Sequence, residues 1–222
     1  MSKPKVLVVA GPTASGKSAL GMALAEQVGG EIVCMDSMQI YRRMDIGTAK
    51  PTEADRAKIP HHLVDIREPE EPYSVAQYLG DAKAALADCL ARGRVPILVG
   101  GTGFYLRALT HGLHLGGVPS DPELREKLKA EAKDAAGRTR LHDRLQAVDP
   151  ISAKRLHTND VTRVSRALEV YELTGKPLSA LEQPAYDSPF AFYVFGTGLT
   201  RAVLYQRIDL RADRMMESGL LS

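Results

Sequence analysis

Short apolar runs alternate with amphipathic stretches along the first hundred residues. The runs are KVLVVA (5–10), EIVCMD (31–36), HHLVDI (61–66) and VPILVG (95–100), with helical periodicity between them. Buried parallel strands are typically near-continuous in apolar residues, and βαβ units alternate such strands with helices. The pattern therefore predicts an α/β core built on a parallel sheet.

Strand signals stop after residue 118, and helical patterns then follow one another. Breaks at AAGR (135–138), VDP (148–150) and TND (158–160) separate these helices. A late apolar run, FAFYVFGTGL (190–199), indicates a return to the sheet. Thr200 is the expected N-cap of a helix over 201–218 that Gly219 ends. We predict an α/β core over 1–118, an all-helical insert over 119–182, and a return to the core over 183–222.

Composition limits the protein class only broadly. The chain has 222 residues, 44% of them hydrophobic, and a formal net charge of +2. Many nucleic-acid-binding proteins are strongly basic overall, and this chain is not, so any basic surface that binds nucleic acid must be local. The two cysteines, Cys34 and Cys89, indicate a reducing compartment without disulfides. MSKPKVLVVAG is too short in its apolar part for a signal peptide, and no run approaches a membrane span, so we expect a cytoplasmic protein without a membrane partner.

The segment GPTASGKS, residues 11–18, follows the first apolar run and fits the phosphate-loop pattern G-x-x-x-x-G-K-[ST]. In such loops, successive backbone N–H groups point toward phosphate oxygens. Lys17 would place its charge on the terminal phosphate, and Ser18 would bind Mg²⁺. A glycine-rich turn that only joins a strand to a helix is the alternative. Because strand, loop and helix signals follow in order, phosphate binding is favoured.

Ligands of open α/β sheets bind outside the carboxyl ends of the strands. Asp36 ends the second apolar run, where a carboxylate can bind Mg²⁺ through water or accept a proton from a nucleophile. Capping of a turn is the alternative for Asp36. In GGTG (100–103) the glycines permit close approach of a ligand, and Thr102 offers a hydroxyl or serves as a helix N-cap.

The remaining charged and metal-binding residue types allow more than one interpretation. His61 and His62 are adjacent on a strand and point to opposite faces, while His111 and His114 lack a third ligand, so we expect no zinc. Apolar residues at helical spacing over 161–171 turn Arg163 and Arg166 outward. Spacing alone does not decide between an RNA-binding surface and an ordinary solvated face.

Longer motifs resemble the tRNA dimethylallyltransferases, also called tRNA isopentenyltransferases. They are GPTASGKS, DSMQIYRRMDIGTAKP, PHHLVDI, PILVGGTGFYLRAL, TNDVTRVSRALEVYELTGKPLS and RAVLYQRIDLRADRMMESGL, in that order. The phosphate loop occurs in many unrelated proteins, whereas the second motif together with GGTGFY is specific to this family. The resemblance covers nearly the whole sequence, and family members continue with a C-terminal part after the residues matched here.

The resemblance implies a P-loop NTPase- or kinase-like fold and a defined reaction. Enzymes of this family transfer the dimethylallyl group from dimethylallyl diphosphate to N6 of adenine 37 beside the tRNA anticodon, and pyrophosphate leaves. Mg²⁺ is the implied cofactor, bound at Ser18. The implied partners are tRNA, through its anticodon stem-loop, and dimethylallyl diphosphate, and we expect a monomer.

The same resemblance assigns roles to individual residues. Asp36 accepts a proton from the adenine amine, Thr102 orients the amine or the diphosphate, and Arg207 stabilises the leaving diphosphate. A salt bridge with Asp209 or Asp213 is the alternative for Arg207. The implied diphosphate-binding residues are Gly11, Pro12, Thr13, Ala14, Ser15, Gly16, Lys17, Ser18 and Arg201. The implied tRNA-binding residues are Asp36, Ser37, Met38, Gln39, Thr102, Arg125, Thr162, Arg163, Val164, Ser165 and Arg166.

Three other functions are compatible with parts of the sequence. A P-loop small-molecule kinase would share the phosphate loop and a strand-end aspartate. A non-catalytic RNA-binding module would need neither Asp36 nor Mg²⁺. An adenylate isopentenyltransferase would modify a free nucleotide, which does not require a helical insert to hold it.

Overall fold

The computed structural model describes residues 2–112, 120–181 and 186–221. The chain forms two compact units, the first made of Met1–Leu113 with Asp187–Ser222 and the second of His114–Tyr186. The first unit contains the phosphate-loop segment, and the second contains the helices predicted as an insert. That the second unit contacts tRNA stays a prediction.

A five-stranded, all-parallel sheet forms the centre of the first unit. The strands are β1 (Lys5–Ala10), β2 (Gly30–Cys34), β3 (His61–His62), β4 (Val95–Gly100) and β5 (Ala191–Gly196). Their order across the sheet is β3-β2-β4-β1-β5, and each neighbouring pair is parallel. The α/β class and the parallel sheet predicted from the apolar runs are therefore confirmed.

The third strand is much shorter than the predicted 61–66, because the chain turns out of the sheet after His62. Leu63 and Asp65 both adopt left-handed backbone angles, with φ of 62° and 57°. Extended pairing cannot continue through such residues. Instead, Asp65 N donates to the Gln39 carbonyl and Ile66 N donates to the Ile40 carbonyl. The segment after β3 therefore stabilises the loop that follows β2.

Helices cover both faces of this sheet and bury its alternating side chains. The helices of this unit are α1 (Lys17–Val28), α2 (Glu53–Lys58), α3 (Val75–Ala91), α4 (Gly103–His111) and α9 (Arg201–Glu217). Helix α1 packs on one face of the sheet and α3 with α4 on the other, whereas none of the described residues of α2 and α9 is buried. Val6 and Val8 of β1 join a core with residues of α3 and α4, whereas Val9 packs with Ala25 of α1. Successive side chains of a strand point to opposite faces of the sheet, so β1 contributes to a core on each face. The carboxyl edge of the sheet lies between the two helical layers.

Helix α9 ends as its sequence predicts and begins with a different type of cap. Gly219 is left-handed, with φ of 90°, and its N–H donates to the Met216 carbonyl. Leu220 N donates to Met215 O, which completes a Schellman motif. Thr200 occupies the N-cap position, but its side chain makes no capping hydrogen bond.

The second unit is helical throughout its described residues. Its helices are α5 (Pro122–Glu131), α6 (Ala135–Val148), α7 (Pro150–Arg155), α8 (Val161–Thr174) and the short 3₁₀ helix η1 (Leu178–Ala180). The predicted breaks near VDP and TND coincide with the caps Asp149 and Asp160. The AAGR prediction was wrong, since these residues form the first turn of α6. Asp134 is its N-cap and accepts from Gly137 N at 2.6 Å, so the break lies just before Asp134.

Across residues 2–112, 120–181 and 186–221, we find no helix with the length and apolarity needed to cross a membrane.

Candidate active site

The phosphate loop lies between β1 and α1 and adopts a tightly curled backbone. Ala14 and Gly16 both have positive φ, 60° and 89°. The loop is fixed to the end of β5, because the Ser15 and Thr197 hydroxyls lie 2.7 Å apart and Thr197 N donates to Ala10 O. A loop held in this shape presents its N–H groups to an anion without further ordering.

Lys17 begins α1 and carries the principal charge of the loop. Its Nζ donates to the Pro12 carbonyl at 3.3 Å. Burial lowers the pKa of Lys17, Asp36 opposes this change, and Arg211 adds to it. Two cations near each other at a phosphate loop repel, so an anion bound between them would relieve that repulsion.

Arg211 is the site residue that the sequence predictions missed. Its Nη1 donates to Thr13 Oγ1 of the phosphate loop at 3.0 Å. Arg207 is close as well, since a Cβ placed on Gly16 would lie 3.9 Å from Arg207 Nη1. The spacing of four residues between Arg207 and Arg211 puts both on one helical face, a signal that the sequence does contain.

Two other predictions concern α9: diphosphate binding by Arg201 and a salt bridge as the alternative role of Arg207. Arg201 is the first residue of α9 and does not line the cavity at the phosphate loop. Its role in diphosphate binding stays a prediction. Within the described ranges, no ion pair joins Arg207 to Asp209 or Asp213, so the salt-bridge alternative for Arg207 has no support in this structure.

Asp36 and Thr102 are brought together by neighbouring strands, β2 and β4. Met35 N donates to Val99 O at 2.8 Å, and Thr102 N donates back to Met35 O at 3.2 Å. The Thr102 hydroxyl accepts from Ser37 N at 3.1 Å, and it makes no cap bond to α4 although Thr102 occupies the N-cap position. Hydrogen bonds therefore join the residues that follow β2 to those that follow β4.

The Asp36 carboxylate itself starts a short turn. Its Oδ1 accepts from Met38 N at 2.9 Å, so the turn-forming interpretation applies to this oxygen. Asp36 also lines the cavity beside Lys17. One oxygen thus orients the side chain while the carboxylate faces a cavity that contains a cation.

The segment that follows Asp36 is fastened by the buried Lys50, whose side chain is only 2% exposed. Lys50 Nζ donates to Asp45 Oδ1 at 2.7 Å and to Asp65 Oδ1 at 2.5 Å. It also donates to the Tyr41 carbonyl at 2.5 Å. Burial raises the pKa of Asp65, but the hydrogen bonds from Lys50 and Arg56 outweigh burial and bring the pKa below its usual value.

Gln39 has a similar internal role. Its Nε2 donates to the carbonyls of Thr48 and Ala49, each at 3.1 Å, and its Oε1 accepts from Cys34 Sγ at 3.3 Å. These bonds close the loop over residues 39–49. A tRNA contact by Gln39 stays a prediction.

Two cavities meet at Asp36. The first, about 360 Å³, contains Lys17 and Ser18 of the phosphate loop and has apolar walls from Met22, Ile32 and Val99. The second, about 670 Å³, is lined by Met38 and by residues 43–48, with Leu220 opposite. Asp36, Thr48 and Arg211 line both. A carboxylate at this junction can therefore act between a phosphorylated ligand in one cavity and a second substrate in the other.

The same cavity offers oxygen donors of the kind that Mg²⁺ prefers. The Ser18 hydroxyl and the Asp36 carboxylate both line it, beside the loop that would hold phosphate oxygens. Hard oxygen ligands from one or two side chains, completed by phosphate and water, are typical of magnesium sites. The residues present fit the implied ion.

In the second unit, two of the predicted tRNA-binding arginines share one buried carboxylate. Arg125 Nε and Arg166 Nη1 lie 2.9 and 2.8 Å from Glu169 Oε2. Arg163 is more exposed and pairs with Asp160 at 3.0 Å. The predicted outward pair on α8 therefore has one exposed member and one half-buried member.

Other predicted tRNA-binding positions on α8 differ in accessibility. Thr162 is exposed, whereas Val164 and Ser165 are buried, Val164 within the hydrophobic core of the second unit. The helical period turns the side chains of Val164 and Ser165 inward, and a tRNA contact by either residue stays a prediction.

A group of possible metal ligands lies at the other end of β2. Glu31, His62 and Cys89 have ligand atoms within 4.8 Å of one another. Arg92 donates to both Glu31 carboxylate oxygens, at 2.5 and 2.7 Å, so a guanidinium already takes the cation position there. Hydrogen bonds from Arg92 lower the pKa of Glu31 to about 2, although burial acts in the opposite direction. His114, from the other histidine pair, lies outside the described residues.

The parallel sheet and the phosphate loop between β1 and α1 define a P-loop α/β protein. The profile of the family described as IPP transferase matches residues 39–222, and that of the family described as Isopentenyl transferase matches residues 4–69. The chain belongs to the tRNA dimethylallyltransferase family.

Relatives support this assignment along the whole chain. The tRNA dimethylallyltransferase of Pelotomaculum thermopropionicum is 50% identical over 222 residues, which is 99% of this chain and 69% of the relative. That of Geobacter metallireducens is 48% identical, over 99% of this chain and 71% of the relative.

Solved structures agree in fold. The full-length tRNA isopentenylpyrophosphate transferase of Bacillus halodurans aligns with a TM-score of 0.66 at 42% identity, covering 98% of this chain and 68% of that protein. A eukaryotic dimethylallyltransferase acting on tRNA aligns with a TM-score of 0.83 at 34% identity, over 98% of this chain and 54% of its own.

Proposed function

We propose that the protein transfers the dimethylallyl group from dimethylallyl diphosphate to N6 of adenine 37 of tRNA, releasing pyrophosphate. The observation that carries this proposal is the position of Asp36 where two cavities meet, with the phosphate loop in one of them. Family membership supports the same reaction, since the relatives are tRNA dimethylallyltransferases.

The first cavity suits the donor. Its phosphate loop, Lys17 and Arg211 would bind the diphosphate, and Arg207 lies near enough to join them. The apolar walls would contact the five-carbon chain. As the allylic C–O bond breaks, negative charge develops on the diphosphate, and fixed cations stabilise it without reorganisation. When bound at Ser18, Mg²⁺ would neutralise part of the same charge.

The acceptor would reach Asp36 from the second cavity. The exocyclic amine of adenine is weakly basic because its lone pair is delocalised, so removing a proton as the N–C bond forms assists the attack. Asp36 Oδ1 is used by Met38 N, and Oδ2 would accept the proton. Thr102 Oγ1 accepts from Ser37 N, and its second lone pair can accept from an N–H of the adenine amine, while its own hydroxyl hydrogen can be donated to a diphosphate oxygen.

The test is transfer of label from dimethylallyl diphosphate in the presence of Mg²⁺, with unmodified tRNA, AMP or buffer as the acceptor. Label in tRNA alone is the expected result. Asp36→Asn should lower the single-turnover rate by about 10²- to 10⁴-fold while leaving tRNA affinity nearly intact. Label in AMP would instead identify an adenylate prenyltransferase, and phosphate transfer from ATP to a small acceptor would identify a kinase. Binding of tRNA without any transfer would favour an RNA-binding module.

A further inference from the structure

Glu169 of α8 is a fully buried carboxylate that the proposed chemistry does not use directly. Its side chain is 0% exposed, yet it accepts four hydrogen bonds. Arg125 donates from Nε and Nη2 at 2.9 and 3.0 Å, Arg166 donates from Nη1 at 2.8 Å, and Asp121 donates from its backbone N–H at 2.7 Å. A buried charge is tolerated only when it is satisfied in this way.

The four bonds also fix the two arginines. Arg125 lies on α5 and Arg166 on α8, and both donate to the same oxygen, Glu169 Oε2, so this oxygen brings the two side chains together. Each arginine side chain is 30% exposed, which leaves part of each group at the surface. One carboxylate thus holds a guanidinium group from each of two helices.

We propose that Glu169 is a positioning residue, which holds Arg125 and Arg166 together as a receptor for a tRNA phosphate. This inference rests on the proposed function, and it names the group that makes the two arginines a single site. Arginine side chains lose considerable rotamer freedom when they bind, and fixing them beforehand reduces that loss. Paired guanidinium groups are well suited to phosphate because each offers several N–H donors in a fixed plane.

The same helix supplies a contrasting ion pair. Glu172 accepts from Arg144 Nη2 at 2.7 Å, and Arg144 Nη1 donates to Glu131 at 2.7 Å. Here two carboxylates share one arginine, so the excess charge is negative and all three side chains are substantially exposed. Such a surface network joins helices without presenting a site for an anion. Glu172→Gln is therefore the matched control for Glu169→Gln.

The direction in which tRNA binding changes when Glu169 is replaced distinguishes a positioning role from a general electrostatic effect. Removing a negative charge near an RNA-binding surface should strengthen RNA binding, because less negative charge repels the phosphates. Loss of positioning should weaken it. In the transfer assay, Glu169→Gln should raise the KM for tRNA by about tenfold, which is the loss of about one charge-assisted contact. The donor KM and the rate at saturating tRNA should stay within about twofold of wild type.

A double-mutant cycle tests whether Glu169 acts through Arg125. Arg125→Ala alone should raise the KM for tRNA, and adding Glu169→Gln should raise it little further, because coupled residues are not additive. Should Glu169→Gln fail to fold, as judged by a reduced helical circular-dichroism signal, Glu169→Asp keeps the charge and should still weaken tRNA binding by about threefold because it reaches less far.

Several outcomes would overturn the inference: tighter or unchanged tRNA binding in Glu169→Gln, additive effects in the cycle, or an equal rise in KM for Glu172→Gln. If only Glu169→Asp can be used, a KM for tRNA equal to that of the wild type would also overturn the inference. Failure of the proposed function is distinguishable, since wild-type protein would then transfer no label to tRNA at all.

Discussion

Replacing Gly100 by alanine should separate the two strands that carry the candidate site. Gly100 is the last residue of β4, and a Cβ added there would lie 2.0 Å from the carbonyl oxygen of Met35 and 2.3 Å from its carbonyl carbon. Both contacts are with backbone, so no side-chain rotation can relieve them. Met35 immediately precedes Asp36, and Thr102 follows Gly100 by two residues.

The size of the effect follows from the contact distance. Ordinary van der Waals contact begins near 3.4 Å, so the strands must move apart by more than about 1 Å at this point. Overpacking typically costs about 1 to 3 kcal/mol, and a clash between two backbones should lie at or above the upper limit. For a protein of this length, a loss of about 3 kcal/mol corresponds to a fall in Tm of roughly 6 to 12 °C. A misplacement of about 1 Å between catalytic groups can cost roughly 10²-fold in rate.

Urea and thermal unfolding, with single-turnover transfer at a temperature where the variant is folded, measure both effects. Gly80→Ala is the control, because Gly80 lies within α3 and a Cβ there meets nothing within 4 Å. Alanine is a better helix former than glycine, so this control should gain up to about 1 kcal/mol. If Gly100→Ala unfolds at the control's midpoint and transfers at the wild-type rate, the close approach of the two strands does not determine the site geometry.

Two further predictions concern buried charges in the first unit. Lys50→Met should lower the free energy of unfolding by about 3 kcal/mol, because hydrogen bonds to charged groups such as Asp45 and Asp65 each contribute about 1.5 to 3 kcal/mol; an unchanged urea midpoint would contradict this. For Glu31, the folded pKa of about 2 lies below the ordinary 4.5, so its stabilising contribution is present above pH 4.5 and is lost as the pH falls toward 2. Glu31→Gln should therefore flatten the fall in stability over this pH range, measured by urea unfolding, and an acid profile as steep as the wild type's would argue against the pairing with Arg92.

The strands and the phosphate loop could be predicted because their signals are local. Apolar runs of five or six residues identify β1 and β4, and the glycine and lysine spacing of residues 11–18 identifies the loop. The end of β3 could not be predicted in this way. Neither Leu63 nor Asp65 favours left-handed backbone by itself, and the turn there depends on hydrogen bonds to residues more than twenty positions earlier.

The candidate site shows the same division between local and distant causes. Asp36 and Thr102 could be located from the rule that ligands bind at strand ends. The hydrogen bonds by which Gln39 closes the loop over residues 39–49 could not be predicted, because its partners lie nine and ten residues away across an irregular segment. Arg211 is an intermediate case, since its helical spacing from Arg207 is visible in the sequence but its contact with Thr13 depends on how α9 lies in the first unit.

The charges at the junction of the two cavities give the proposed transfer its direction. Lys17 and Arg211 lie on the phosphate-loop side, whereas the carboxylate of Asp36 lies on the loop after β2. During transfer, negative charge moves toward the diphosphate as the amine nitrogen loses a proton. In the proposed reaction the cations would stabilise the first change, and the carboxylate would accept the proton released by the second. Hydrogen bonds between neighbouring strand ends fix the phosphate loop and the turn after Asp36, so the site would need little rearrangement to stabilise charge in both cavities at once.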